Sequence, residues 1–179
     1  NYGFIKKDNR GKTVNVTFTI RNGHVDQLRN QGKVATYTAR MLDKGTKNNS
    51  RQDIEDKLTA LKSNVFISGG NGRISANINS TEDDLMATLE LMTDMLKNPT
   101  FDAAELEKLK TQDLASLEEN KNEPQAVVSR QIALLNNKYP KGHPNYRMTY
   151  DEEVADTKAV TVEAIKAYYD EFYGISDNA

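Results

Sequence analysis

The sequence contains no cysteine. That absence removes disulfide scaffolds, thiolate zinc sites, thiol redox motifs and cysteine nucleophiles together, although it does not fix the compartment. Histidine is scarce as well: only His24 and His143 occur, far apart and each among turn-forming neighbours. A two-histidine metal site needs carboxylate help, and Asp26 beside His24 is the obvious donor. Surface or turn histidines are the simpler reading. Neither sign of charge dominates, because 24 Lys and Arg stand against 26 Asp and Glu. The chain therefore has no basic field to point to nucleic acid and no acidic tail. No apolar run approaches the roughly 18 residues that span a bilayer, and no signal-peptide pattern opens the chain. The start, Asn1-Tyr2-Gly3-Phe4, has no Met and reads as a cut inside a longer polypeptide.

What is present fits one domain over residues 1–179. The 179 residues are 37% hydrophobic and 28% charged, and a domain of that size buries roughly 70% of its unfolded surface. The run from Thr13 to Arg21 alternates, with Val14, Val16, Phe18 and Ile20 on one face, which predicts a half-buried strand. Gly3 to Lys7 reads as a short strand paired with it across a turn at residues 8–12. From Asp26 to Asp43, Leu28, Val34, Ala35, Tyr37, Ala39, Met41 and Leu42 suit a helix that Gly45 stops. Ser50 with Asp53 opens a second helix, with Ile54, Leu58 and Leu61 inside, ending near Lys62.

Two strand-like runs follow, Asn64 to Ser68 and Arg73 to Asn79, joined by the turn Gly69-Gly70-Asn71-Gly72. Those glycines lack the spacing and the Lys-Ser/Thr of a phosphate-binding loop. Thr81 with Glu82, Asp83 and Asp84 caps a helix lined by Leu85, Leu89, Met92 and Leu96 and stopped at Asn98-Pro99. The methionines Met86, Met92 and Met95 read as core. Asp102 opens a long helix to Asn120, Pro124 starts another to Asn137, and Val162 to Phe172 makes the last. The order of strands, helices, hairpin and helices predicts an α+β fold, an antiparallel sheet covered by helices on one face. A further strand is expected beyond Ala179, leaving a partly open sheet edge able to pair with another copy. The triplets Asn15-Val16-Thr17, Asn48-Asn49-Ser50 and Asn79-Ser80-Thr81 match the glycosylation pattern but arise by chance in an Asn- and Ser/Thr-rich chain.

Several of these segments, in order, resemble one family. Ala35-Thr36-Tyr37-Thr38-Ala39-Arg40-Met41-Leu42-Asp43-Lys44-Gly45-Thr46 is similar to the signature helix of the pitrilysin/insulinase zinc peptidases, in which H-x-x-E-H precedes Met-Leu and a Gly-Thr pair. Ser50-Arg51-Gln52-Asp53-Ile54 resembles the helix start that follows. Asn98-Pro99-Thr100-Phe101-Asp102 and Glu123-Pro124 resemble two of the family's turns, and Tyr139 to Tyr146 one of its loops. That loop is structural by default, with contact to substrate or a neighbouring domain as the alternative.

The resemblance implies a zinc site whose residues this chain lacks. In active members two histidines bind the metal, the glutamate between them is the base, and another glutamate roughly 75 to 80 residues on completes the set. Those positions read Thr36, Ala39, Arg40 and, approximately, Ser116. Threonine and serine are poor zinc ligands, alanine is no base, and an arginine repels a cation. Glu118-Glu119 nearby reads as a solvated helix face. The expectation is thus a non-catalytic domain from the second half of a long bacterial member, with no cofactor of its own and with zinc in the catalytic half. Its implied partners are the catalytic domain of the same polypeptide and peptide substrate, with no nucleic acid and no membrane span. An envelope or periplasmic location is suggested by that resemblance alone. The alternative is an inactive binding or assembly subunit resembling those of mitochondrial processing peptidase. A self-sufficient enzyme of other chemistry finds little support in a chain without cysteine and with isolated histidines.

Overall fold

The structure is a computed structural model, and it describes Gly3, residues 11–70 and residues 72–173. Its elements run β1 (Thr13–Arg21), α1 (Gly32–Met41), α2 (Arg51–Ala60), β2 (Asn64–Gly70), β3 (Arg73–Thr81), α3 (Leu85–Lys97), α4 (Ala103–Lys121), α5 (Pro124–Leu135), α6 (Tyr150–Ala159) and α7 (Val162–Phe172). The expected α+β class is borne out. β3 lies between β1 and β2 in a three-stranded antiparallel sheet. The register sets Phe18 opposite Ala76 and Ile67 opposite the same residue, so one side chain of each strand meets in a row. Val65, Ile67, Ile74, Ala76 and Ile78 are buried on that face beneath the helices, whereas Phe66, Asn77 and Asn79 on the other face are exposed. This is the period-2 division of an antiparallel sheet with one wet face.

β1 departs in degree from the half-buried strand expected. Val14, Val16, Phe18 and Ile20 do share the inner face, but Phe18 is 46% exposed. The helices rest on β2 and β3, with α1 packed along β2, so the rim of β1 receives less cover. The proposed strand from Gly3 to Lys7 lies, Gly3 apart, outside the described residues.

α1 begins later than its hydrophobic pattern suggests. Residues 25–30 form turns, and Asn30 sits at φ 60°, a left-handed conformation that an α-helix cannot pass through. Leu28 is nevertheless buried, which is why it fitted the helical stripe. The α2 box is complete: Ser50 accepts from the Asp53 amide and Asp53 accepts from the Ser50 amide. α3 starts at Leu85, because Thr81 still belongs to β3 and its hydroxyl exchanges bonds with Asp84 instead of capping. Met92 and Met95 join the core, but Met86 is 67% exposed. It follows Leu85 by one residue, about 100° around the helix and off the buried stripe.

α6 is an element that the periodicity did not suggest. Its start carries a full capping box, in which Thr149 accepts from the Glu152 amide and Glu152 accepts from the Thr149 amide. Gly72, at φ 71°, closes the hairpin where only glycine fits: a Cβ there would stand 2.5 Å from Leu28 and 2.6 Å from the Asn22 carbonyl.

A carboxylate hub fixes the segment after α1. Asp94 of α3 accepts from the Thr46 hydroxyl at 2.5 Å and from the side-chain amides of Asn48, Asn49 and Asn98 at 2.6, 2.8 and 2.8 Å. Burial would raise its pKa, but these donors outweigh that and hold it below the ordinary value.

Candidate functional site

The signature-like residues lie on α1, which is sandwiched between the sheet and the later helices. Its two sides do different work. Ala39 faces β2 and is fully buried, so close to the strand that a Cβ on Gly69 would stand 2.7 Å from its own. The helix and strand therefore touch through their smallest side chains, and no volume remains for a glutamate at position 39.

Thr36 lies beside the same strand, its hydroxyl 3.2 Å from where a Cβ on Gly70 would stand, and donates that hydroxyl back to the Gly32 carbonyl at 3.0 Å. Arg40 reaches α4 and grips Asp113 with both terminal nitrogens, Nη1 at 2.5 Å from Oδ2 and Nη2 at 3.0 Å from Oδ1. Tyr37, whose side chain is buried, donates to the same Oδ2 at 2.6 Å. Arg40 also lies 5.3 Å from the centre of the Tyr37 ring. Three donors on one carboxylate make a charge-assisted cluster rather than a single contact.

The electrostatics follow from that geometry. Burial pushes the Asp113 carboxyl up, but hydrogen bonds from Arg40 and Tyr37 and the nearby charges of Arg40 and Lys33 overcome it, and the carboxyl stays below its usual value. The hydrogen bond to Asp113 raises Arg40 further, against the cost of burial. Burial, then the acceptor Asp113, raises the Tyr37 hydroxyl. All three groups hold their ordinary charge at neutral pH.

Ser116 lies on α4 three residues past Asp113, exposed, where its hydroxyl accepts from the Asn120 amide at 3.4 Å. Among the four expected positions, α1 carries Thr36, Ala39 and Arg40, and the residue of α4 that Arg40 meets is Asp113. Sequence reasoning missed Asp113, yet a signal existed. It follows Leu106 and Leu109 and precedes Leu117 at helical spacing, so it is a carboxylate set in line with buried leucines. These residues do not fit zinc. A guanidinium occupies the carboxylate, the threonine hydroxyl is spent on its own helix, and position 39 has neither a ligand atom nor room for one.

The remaining candidates lie apart from α1. His24 is exposed, and Asp26 pairs with Arg29 at 3.2 Å. His143 stacks on Tyr139 at 4.3 Å, and its Nδ1 accepts from the Asn145 amide at 3.0 Å. Glu118 accepts from the Tyr150 hydroxyl, which ties α4 to α6. Among the described residues no three His, Asp or Glu side chains gather as a metal site. No helix of the described residues is long and apolar enough to cross a membrane.

A cleft of about 600 Å³ opens beside the N-terminal turn of α1. Gly32, Lys33 and Thr36 form one wall, α5 another, and residues 146–148 with Glu153 of α6 the rest. Lys33 and Arg130 each hold one oxygen of Glu153, at 2.8 and 3.0 Å. Burial works against the charged Glu153, but the two cations prevail and keep its pKa low.

Comparison with known proteins bears on this arrangement. The profile of the insulinase peptidases, peptidase family M16, matches residues 4–145. No curated protein sequence matches the chain. Among solved structures, one described as a peptidase M16 inactive domain from Pseudomonas fluorescens superposes with a TM-score of 0.73 at 21% identity, covering 90% of this chain. A protease from Helicobacter pylori gives 0.70 at 17% identity and covers 92%. The chain spans 39% of the length of each of these two structures.

Proposed function

The chain belongs to the insulinase family of peptidases, family M16, and from that premise we propose that it is a non-catalytic domain of a zinc peptidase. On this reading it forms part of the wall of a peptide chamber and meets the catalytic half of its parent protein, where the zinc resides. The observation that carries the proposal is the Arg40–Asp113 clamp. In the active arrangement a metal ties the signature helix to the helix that follows some 75 residues on; here α1 and α4 are tied by a two-pronged ion pair 73 residues apart. The buried Ala39 against Gly69 supports the same reading, since a catalytic base has no place there. The Pseudomonas structure, whose description is that of an inactive domain, shares the fold.

The test is zinc content by mass spectrometry after metal exchange, with cleavage of a quenched peptide library alongside. Absence of stoichiometric zinc and of cleavage is expected. Stoichiometric zinc with chelator-sensitive cleavage would overturn the proposal and make His24 and His143 the first residues to mutate.

A further inference from the structure

The cleft beside α1 carries more positive charge than it neutralises. Lys33, Arg130 and Arg147 line it together with one carboxylate, Glu153. Glu153 divides its two oxygens between Lys33 and Arg130. Arg147 makes no ion pair among the described residues, and its side chain is exposed at the mouth. Arg130 is half-buried, at 29% side-chain exposure, with its guanidinium 6.0 Å from the centre of the Tyr150 ring, and among the described residues it donates from a single nitrogen, to Glu153. A guanidinium has five N–H donors in a planar fork, so Arg130 retains donors for a second acceptor.

The walls are equally informative. Ala126, Ala133, Leu134 and Met148 supply an apolar part of the lining. The volume falls within the range of sites that enclose small ligands. A polyanion such as nucleic acid would call for a wider basic field than two net charges in a cleft with apolar walls. An extended chain that offers one carboxylate between small or apolar neighbours matches both features.

We propose that this cleft binds a carboxylate carried by a peptide, with Arg130 and Arg147 as the recognising groups and the apolar wall of α5 receiving the adjoining residues. The proposal rests on the chamber reading above and names the class of peptide that this wall selects. The carboxylate comes from an acidic side chain or from a peptide C-terminus, and the experiment separates the two.

Fluorescence anisotropy would follow labelled alanine-rich peptides binding to the protein. One peptide carries glutamates with an amidated C-terminus, one is neutral with a free C-terminal carboxylate, one is neutral and amidated, and one carries lysines. A carboxylate-bearing peptide should bind about tenfold tighter than the lysine peptide at low salt, with the gap narrowing as salt screens the cleft. The amidated acidic peptide identifies side-chain recognition; the free-acid neutral peptide identifies terminal recognition. Arg147→Ala, at an exposed site, should lower that affinity about tenfold with the melting temperature unchanged, and Arg147→Glu should abolish the preference. Leu135→Ala, on the exposed side of α5 away from the cleft, serves as the control.

Equal binding of acidic and lysine peptides, or indifference to Arg147→Glu, would overturn the inference while leaving the non-catalytic assignment to the zinc measurement. Failure to bind any of the four peptides would overturn the inference and the chamber role together.

Discussion

Removing Asp113 should destabilise this domain more than removing Arg40, although the two form one ion pair. Asp113→Ala strands two donors at once: the guanidinium of Arg40 and the hydroxyl of Tyr37, a residue with no exposed surface. Arg40→Ala leaves Asp113 with its Tyr37 bond and with side-chain exposure of 26% through which water can reach it. Breaking a fully buried pair costs about 3–5 kcal/mol, and an exposed one about 0–1. The side chains here are 34% and 26% exposed, between those limits. The expected losses are therefore about 3 kcal/mol for Asp113→Ala and about 1.5 for Arg40→Ala. For a domain of this size the former lowers the melting temperature by about 6–12 °C. Thermal and urea unfolding of the two singles and the double would measure both losses and their coupling. Acid adds an independent check. The folded carboxyl of Asp113 has a lowered pKa, so its contribution is complete above the unfolded value of about 3.9 and fades as pH falls through the lower folded value. Asp113→Asn should flatten that part of the acid limb. Equal losses from Asp113→Ala and Arg40→Ala, or an unchanged acid limb in Asp113→Asn, would refute the account.

Three further substitutions address the packing around the site. Ala39→Glu, which restores the family's base, should cost about 4 kcal/mol or leave the protein unfolded, because it forces a carboxylate against Gly69 without a partner; near-native stability in urea would contradict the packing described. Gly69→Ala should cost about 1–3 kcal/mol through the 2.7 Å contact with Ala39, and combining it with Ala39→Gly should recover more than additivity allows, as read in a double-mutant cycle. Asp94→Ala should cost about 2–4 kcal/mol by freeing the donors of Thr46, Asn48, Asn49 and Asn98. Since the Asp94 pKa is also lowered on folding, its share of stability begins to fade near the unfolded value of about 3.9 and is lost as pH falls through the lower folded value, and amide exchange in the segment 46–49 should rise first.

Local rules made much of this fold legible. Caps, periodicity and glycine turns placed β1, β2, β3, α2, α4 and α7 close to their observed bounds, because each carries its own start or stop signal. The errors fall where a distant contact decides. Leu28 is buried from a turn, so it mimicked a helical position. Phe18 lies on the inner face of a strand that the helices leave partly bare. α6 has little apolar periodicity of its own, with Thr157 as its only buried residue, and only the Thr149–Glu152 box announces it. The site shows the same division. Thr36, Ala39 and Arg40 could be read from one contiguous segment, whereas Asp113, the partner of Arg40, depends on how α4 packs against α1. The spacing of Leu106, Leu109 and Leu117 turns Asp113 toward the buried face of α4, but nothing local names Arg40 and Tyr37 as its partners.

The Arg40–Asp113 clamp specifies an arrangement more than it contributes net stability. Desolvating two charges costs nearly what their attraction returns, so an ion pair outweighs a broken pair but not a well-packed apolar substitute. The site permits a direct comparison. Asp113 already lies in line with Leu106, Leu109 and Leu117, and Tyr37 is already core. Replacing the cluster as a unit, with Arg40→Met, Asp113→Leu and Tyr37→Phe, removes the charges and donors of all three side chains together. The triple variant should lie within about 1.5 kcal/mol of the parent, far closer than Asp113→Ala alone. Urea midpoints of the two variants give the comparison directly. A triple variant as unstable as Asp113→Ala would mean that the ionic network is itself a main support of α1 on α4. Near-parity would mean that the network sets the angle and register of the two helices.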